Sequence, residues 1–168
     1  MLVEAAKYGD EDAYNELLNR CYKPVKKYCA AMASKDHAED LAQECFLKAL
    51  KSKIPSENIE SVEAFMIHIA KYVCIDFLNK KAKTYNIKSE SEFVSQDIYS
   101  IEFDDECQQL LNLLNEKLRE AFVITQIIDF SYEECSEILN VPIGTVRSRV
   151  SRAKDILRNS ILAQKKSS

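Results

Sequence analysis

Two glycines and three prolines are all that punctuate these 168 residues. A sheet protein of this length needs many tight turns, and turns draw heavily on both residue types. Leu, Ala, Glu and Lys instead recur at helical spacing, so the expected fold class is all-α. The 46% hydrophobic and 30% charged content fits a globular chain with room for one ordinary core or two small ones. No run approaches the roughly 20 apolar residues of a membrane span. The opening MLVEAAKYGDED lacks a basic segment followed by an apolar one. No membrane insertion is expected, and the cytoplasm is the expected location.

Six cysteines (Cys21, Cys29, Cys45, Cys74, Cys107, Cys135) never form a C-x-x-C pair, and most fall at apolar positions of helical patterns. They read as buried free thiols packing as small hydrophobes. With His37 and His68 the only histidines, local spacing assembles no metal cluster, and HAED at His37 is not the H-E-x-x-H zinc motif. No cofactor is expected.

The formal net charge of −4 does not advertise nucleic acid, but its distribution does. From Ile143 to Ser168, Arg147, Arg149, Arg152, Lys154, Arg158, Lys165 and Lys166 face only Asp155, a local net of +6. From Thr84 to Glu106, Glu90, Glu92, Asp97, Glu102, Asp104, Asp105 and Glu106 face only Lys88, a local net of −6. Such asymmetry points to a polyanion at the basic end.

Along the chain, Leu2–Tyr8 reads as a short helix closed by Gly9, and Asp10 caps a second that Pro24 can kink or divide. Asp36 is the expected cap of a third helix with the stripe Ala38, Leu41, Ala42, Cys45, Ala49 and an exit at Pro55. Ser61 caps a fourth, with the apolar face Val62, Phe65, Met66, Ile69, Val73 and Phe77, ending in Lys80, Lys81 and Lys83. Between Thr84 and Asp105 the periodicity fails. That stretch reads as a flexible acidic linker in which Phe93, Tyr99, Ile101 and Phe103 are by default exposed groups of a solvated tether, with contacts that pin it to a partner as the alternative. Periodicity resumes with Leu110, Leu111, Leu114, Leu118, Phe122, Val123 and Ile127.

Ser131 then caps a helix whose early carboxylates Glu133 and Glu134 suit its positive end. Asn140 stands where a left-handed closing residue is wanted, Val141–Ile143 turn the chain, and Thr145 opens the last helix. Two short helices joined by such a turn have the shape of a helix-turn-helix. On the helical wheel Val146, Val150, Ala153 and Leu157 share the core side. Ser148, Ser151, Arg152 and Asp155 point away, with Arg147 and Arg149 on opposite flanks. A solvated helix end accounts for Arg158 and Lys165, but not for cations that begin in the first turn, where the dipole disfavours them. A surface for the major groove accounts for both: arginine pairs with guanine, and serine or threonine contacts phosphate or base.

The run SYEECSEILNVPIGTVRSRVSRAKDIL resembles region four, the promoter-binding C-terminal domain, of bacterial RNA polymerase sigma factors of the small extracytoplasmic-function type. AEDLAQECFLKAL resembles the polymerase-binding segment of region two, and VEAFMIHIAKYVCIDFLNKKAK resembles the following helix, which engages the promoter element nearest the start site. The resemblance implies region two in 1–83, an acidic linker in 84–106 and region four with the helix-turn-helix in 107–168. It implies core RNA polymerase, through its β′ clamp helices and β subunit, and promoter DNA as partners, with an anti-sigma factor as a further candidate.

By position, the resemblance assigns Asp40, Leu41, Gln43 and Glu44 to the β′ clamp helices, and His68, Lys71, Tyr72, Asp76 and Lys80 to promoter DNA. In region four it assigns Ser131, Thr145, Arg147, Ser148, Arg149 and Arg152 to DNA. Asp40, Gln43 and Glu44 lie three and four residues apart, so they share a polar ridge. The chain departs from the family at Phe65 (commonly Trp), His68 (Arg), Tyr72 (Asn), Asn115 (Pro), and Asp129 and Asn140 (Gly). A Tyr72 ring can stack on an unpaired base. The expected function is therefore that of a non-catalytic specificity subunit. The alternative is a stand-alone helix-turn-helix regulator, which leaves the first half as a generic bundle. A hydrolase built on Glu39–Asp40 or Asp104–Asp105 is disfavoured, because adjacent residues on a helix face different ways.

Overall fold

The computed structural model describes residues 2–52, 61–85 and 104–167, with the Tyr85 side chain left aside. These residues fall into two compact units, one drawn from Met1–Ser100 and the other from Ile101–Ser168. Among the described residues there is no strand: the elements are helices α1 (Leu2–Lys7), α2 (Glu11–Met32), α3 (Ala38–Lys51), α4 (Val62–Tyr85), α5 (Asp105–Asn112), α6 (Glu116–Phe122), α7 (Tyr132–Leu139) and α8 (Ile143–Lys166), with a π-helical turn at Val123–Ile127.

In the first unit α2, α3 and α4 pack on one another, and α1 covers α2 and α3. Gly9 closes α1 at φ 89°, a left-handed conformation that a side chain would strain. Asp10 then caps α2, its Oδ1 accepting from Ala13 N at 3.0 Å. Pro24 neither divides nor ends α2, which runs unbroken to Met32. Inward-facing positions bring Leu17, Cys21, Val25 and Tyr28 of α2 against Leu41, Ala42, Cys45 and Phe46 of α3 and Phe65, Met66 and Ile69 of α4, all buried. Between Val62 and Ala70 only Glu63 and His68 keep substantial contact with solvent, so this half of α4 is enclosed more completely than a single apolar face implies. Arg20 ties α2 to α4, its Nε and Nη2 both 2.7 Å from Glu63 Oε1. Ser61 caps α4 as expected, accepting from Ala64 N at 3.0 Å. Asp36 does not cap α3: the residue at that position is His37, which makes no side-chain cap bond and instead shares a 2.9 Å hydrogen bond between its Nδ1 and Ser34 Oγ.

In the second unit α8 packs against α6 and α7. Asp104 caps α5 (2.8 Å to Cys107 N) and Asn115 caps α6 (3.0 Å to Leu118 N), so the asparagine, where the resemblance leads one to expect proline, supplies a bond that proline lacks. Arg119 fixes the turn between them by donating to the carbonyls of Leu111 and Leu114, both at 3.0 Å. Burial lowers the Arg119 guanidinium pKa, opposed by the charge of Glu116. The π-helical turn follows, and Asp129 adopts a left-handed φ of 70° before α7 begins. The extra residue in that turn buries Val123 and Ile124 and leaves Phe122 and Ile127 half-buried.

Helices reach into both margins of the expected 84–106 linker. Thr84 and Tyr85 end α4, and Asp104 to Glu106 cap and start α5. Residues 86–103, with Phe93, Tyr99, Ile101 and Phe103, lie outside the described residues, as does Pro55.

Phe65, with 0% exposure, anchors the first core. Phe65→Ala is expected to lower the unfolding free energy by about 3–5 kcal/mol. Urea unfolding followed by far-UV circular dichroism checks this; a loss below about 1 kcal/mol would contradict the packing.

Candidate nucleic-acid and partner interfaces

The orientation of α8 is set before the helix begins. A reciprocal capping box starts α7: Ser131 Oγ accepts from Glu134 N at 3.0 Å, and Ser131 N donates to Glu134 Oε2 at 2.8 Å. Asn140 closes α7 at φ 51°, ψ 50°, the left-handed conformation predicted for it. Ser136 Oγ donates to Val141 O at 2.6 Å across the same turn. Pro142 then occupies the N-cap position, so α8 opens at Ile143, two residues before the expected Thr145.

Val146, Val150 and Ala153 are buried against α6 and α7, whereas Leu157 is only half-buried. The opposite side presents Arg147, Ser148, Ser151 and Arg152 fully, and Thr145 and Arg149 in part. Among the described residues no carboxylate pairs with Arg147, Arg149, Arg152 or Lys154, whereas Arg158 meets Asp155 at 3.4 Å. Ser148 Oγ donates to Thr145 O at 3.1 Å, which leaves its lone pairs outward. The outer face of α8 therefore combines unneutralised guanidinium groups with small hydroxyls on a rigidly held helix. Farther along, Ile161 and Leu162 are exposed, beyond the reach of the core.

In the first unit Asp40 and Gln43 are exposed and Glu44 partly so. Leu41, by contrast, is 3% exposed and faces the core, so it supports the ridge from beneath. Sequence reasoning passed over Leu47, which is 56% exposed and, at seven residues from Asp40, completes the ridge with an apolar end. On α4, His68 and Lys71 are partly exposed, and Tyr72, Asp76 and Lys80 are exposed. The His68 and Tyr72 rings meet edge-on at 5.0 Å. Beside Tyr72 lies a pocket of about 320 Å³, lined by Lys48, Lys51, Ser52, Ile69 and Tyr72. Lys48 was also missed. Its Nζ stands 3.4 Å from Glu44 Oε1 and 3.3 Å from Asp76 Oδ2, joining the α3 ridge to the α4 row.

Five of the six cysteines are buried and Cys107 is exposed. Burial pushes the Cys21 thiol up to about 12. Hydrogen bonding with the thiols of Cys45 and Cys74, together with burial, pushes Cys29 up as well. Protonated thiols of this kind are poor nucleophiles and poor metal ligands. Among the described residues no three His, Cys, Asp or Glu side chains are grouped to hold a metal ion, and no helix is long and apolar enough to cross a membrane.

The Ser131 hydroxyl serves the helix cap whatever else it touches. Ser131→Ala is expected to cost about 1 kcal/mol of stability, while Ser131→Asp, also a good cap, retains it. Urea unfolding of both variants checks this, and equal losses would contradict the capping role.

The family model for Sigma-70 region 2 matches residues 14–84, and that for Sigma-70, region 4 matches residues 105–157. The chain is 28% identical over 176 residues to the ECF RNA polymerase sigma factor SigW of Bacillus subtilis, spanning 95% of this chain and 94% of that one. It is 28% identical over 181 residues to the ECF RNA polymerase sigma-E factor of Haemophilus influenzae, spanning 95% and 93%. Its fold is similar to that of CnrH, solved in complex with the cytosolic domain of CnrY, with a TM-score of 0.72, 18% identity and 96% of each chain covered. It is also similar to that of the sigma factor RpoE of Bartonella quintana, solved with the anti-sigma factor NepR, with a TM-score of 0.70, 24% identity, and 87% of this chain and 94% of that one covered. Two sigma-70 regions in order along one chain, each on its own helical unit, place the protein in a family: the chain belongs to the RNA polymerase sigma factors of the extracytoplasmic-function type.

Proposed function

We propose that this sigma factor is a non-catalytic specificity subunit that acts in the cytoplasm without a cofactor, with residues 1–83 and 107–168 as its two working domains and 84–106 between them. The observation that carries this reading is the pairing of region two and region four on one chain, because a stand-alone regulator has no use for the first. The ridge of Asp40, Gln43, Glu44 and Leu47 docks on core polymerase at the basic β′ clamp helices. Its polar part supplies specificity, and Leu47 supplies apolar contact near the edge. Leu41 holds the ridge in place from the core side.

On α4, His68, Lys71, Tyr72, Asp76 and Lys80 engage the promoter element nearest the start site. Tyr72 offers its ring to an unpaired base beside the adjoining pocket, and the exposed Lys80, Lys81 and Lys83 follow the phosphates. In the second unit Thr145, Arg147, Ser148, Arg149 and Arg152 read the distal element, with Ser131 at the start of α7 beside the backbone. The exposed Ile161 and Leu162 suit the polymerase β subunit. An overall charge of −4 keeps DNA binding by the free chain weak, so promoter engagement follows polymerase docking. Because CnrH and RpoE are seen with the cytosolic domain of CnrY and with NepR, an anti-sigma factor belongs among the partners of this chain as well.

Equilibrium binding to purified bacterial core polymerase tests the reading. The wild-type chain is expected to bind tightly, and Gln43→Ala with Glu44→Ala to weaken it about tenfold or more. Absence of binding by the folded wild type, together with tight binding of the chain alone to a duplex operator, would establish the stand-alone regulator instead. In the holoenzyme, Arg152→Ala should weaken promoter binding by about five- to a hundredfold while leaving polymerase affinity unchanged. Promoter affinity equal to wild type would remove Arg152 from the interface.

A further inference from the structure

The α3 ridge and the α4 row share one counter-ion. Lys48 Nζ lies 3.4 Å from Glu44 Oε1, one turn earlier on its own helix, and 3.3 Å from Asp76 Oδ2 on α4. Burial opposes the Lys48 charge, but hydrogen bonds and attraction from Asp76 and Glu44 outweigh it and raise the ammonium pKa, so the residue stays charged. Lys48 also lines the pocket beside Tyr72. Two carboxylates on one ammonium leave the trio with a net charge of −1, on a surface that has to approach phosphodiesters.

We propose that Lys48 is a positioning residue that couples polymerase docking to promoter-strand engagement, by dividing its charge between Glu44 and Asp76. This rests on the assignment of the α3 ridge to polymerase and the α4 row to DNA. When a cation of the polymerase takes Glu44, Lys48 is left to Asp76 and neutralises it, and the repulsion between that carboxylate and the strand's phosphates falls, so that Asp76 can meet the bases beside them. By linkage the reverse also holds: a strand laid along α4 draws Lys48 toward Asp76 and releases Glu44 for docking. All three side chains are about half exposed, so the coupling is modest.

The test is a double-mutant cycle on the holoenzyme reconstituted from core polymerase and the full chain, using a fluorescent single strand of promoter DNA as probe. Lys48→Met is expected to weaken strand binding about two- to fivefold, the range an exposed ion pair supplies, and to have no effect in a chain that already carries Asp76→Asn. Lys48→Arg should retain wild-type affinity. The strand should also strengthen core binding more for wild type than for Lys48→Met. An equal loss from Lys48→Met with and without Asp76→Asn would overturn the proposal, since Lys48 would then act on DNA directly or through folding. Strand binding unchanged by Lys48→Met would overturn it too. Failure of the wild-type chain to bind core polymerase would instead bring down the assignment of the α3 ridge, and the proposal with it.

Discussion

Val146, Val150 and Ala153 can be buried against α6 and α7 in only one orientation of α8, and that requirement determines what the helix shows to its surroundings. With the small apolar side chains turned inward, the 3.6-residue repeat puts Arg147, Ser148, Ser151 and Arg152 outward. The left-handed residue Asn140 and the Ser136–Val141 hydrogen bond then fix the angle at which that face is held. The proposed recognition surface is held in place because it is the reverse side of a core. Rigid placement matters for base readout, where bidentate geometry tolerates little displacement.

The same logic governs the first unit. Leu41, Ala42, Cys45 and Phe46 must be buried, and the residues between and flanking them, Asp40, Gln43, Glu44 and Leu47, form the ridge that remains. The packing of α4 on α3 also brings Asp76 within reach of Lys48, so the residues proposed to dock and those proposed to meet the strand sit close enough to influence one another electrostatically. If the free chain binds DNA weakly, as proposed, such proximity lets engagement of one partner prepare the surface for the other.

Local chemistry carried most of the fold in the sequence. Asp10, Ser61, Ser131 and Asn140 could be assigned their roles because a cap or a left-handed closure depends on a few neighbouring residues. The Asp36 assignment failed for the converse reason: a suitable cap residue was present, but α3 begins one residue too late for it to serve. The π-helical turn at Val123–Ile127 was not legible, since one inserted residue leaves an apolar run looking much like an ordinary helix. At the candidate sites, the outward face of α8 followed from periodicity alone. Leu41 was carried into the docking set by resemblance although its own stripe placed it inside, and Leu47 was legible at i+7 but overlooked. Lys48 depended on a tertiary approach between α3 and α4 that no spacing within one helix encodes.

A chain that pairs region two with region four gives core polymerase its choice of start sites. The most direct measurement is transcription in vitro from bacterial genomic fragments by purified core polymerase, with and without the chain. Transcripts with defined 5′ ends are expected only when both are present. Start sites identical to those of core polymerase alone, from a folded chain that binds duplex DNA tightly by itself, would contradict it.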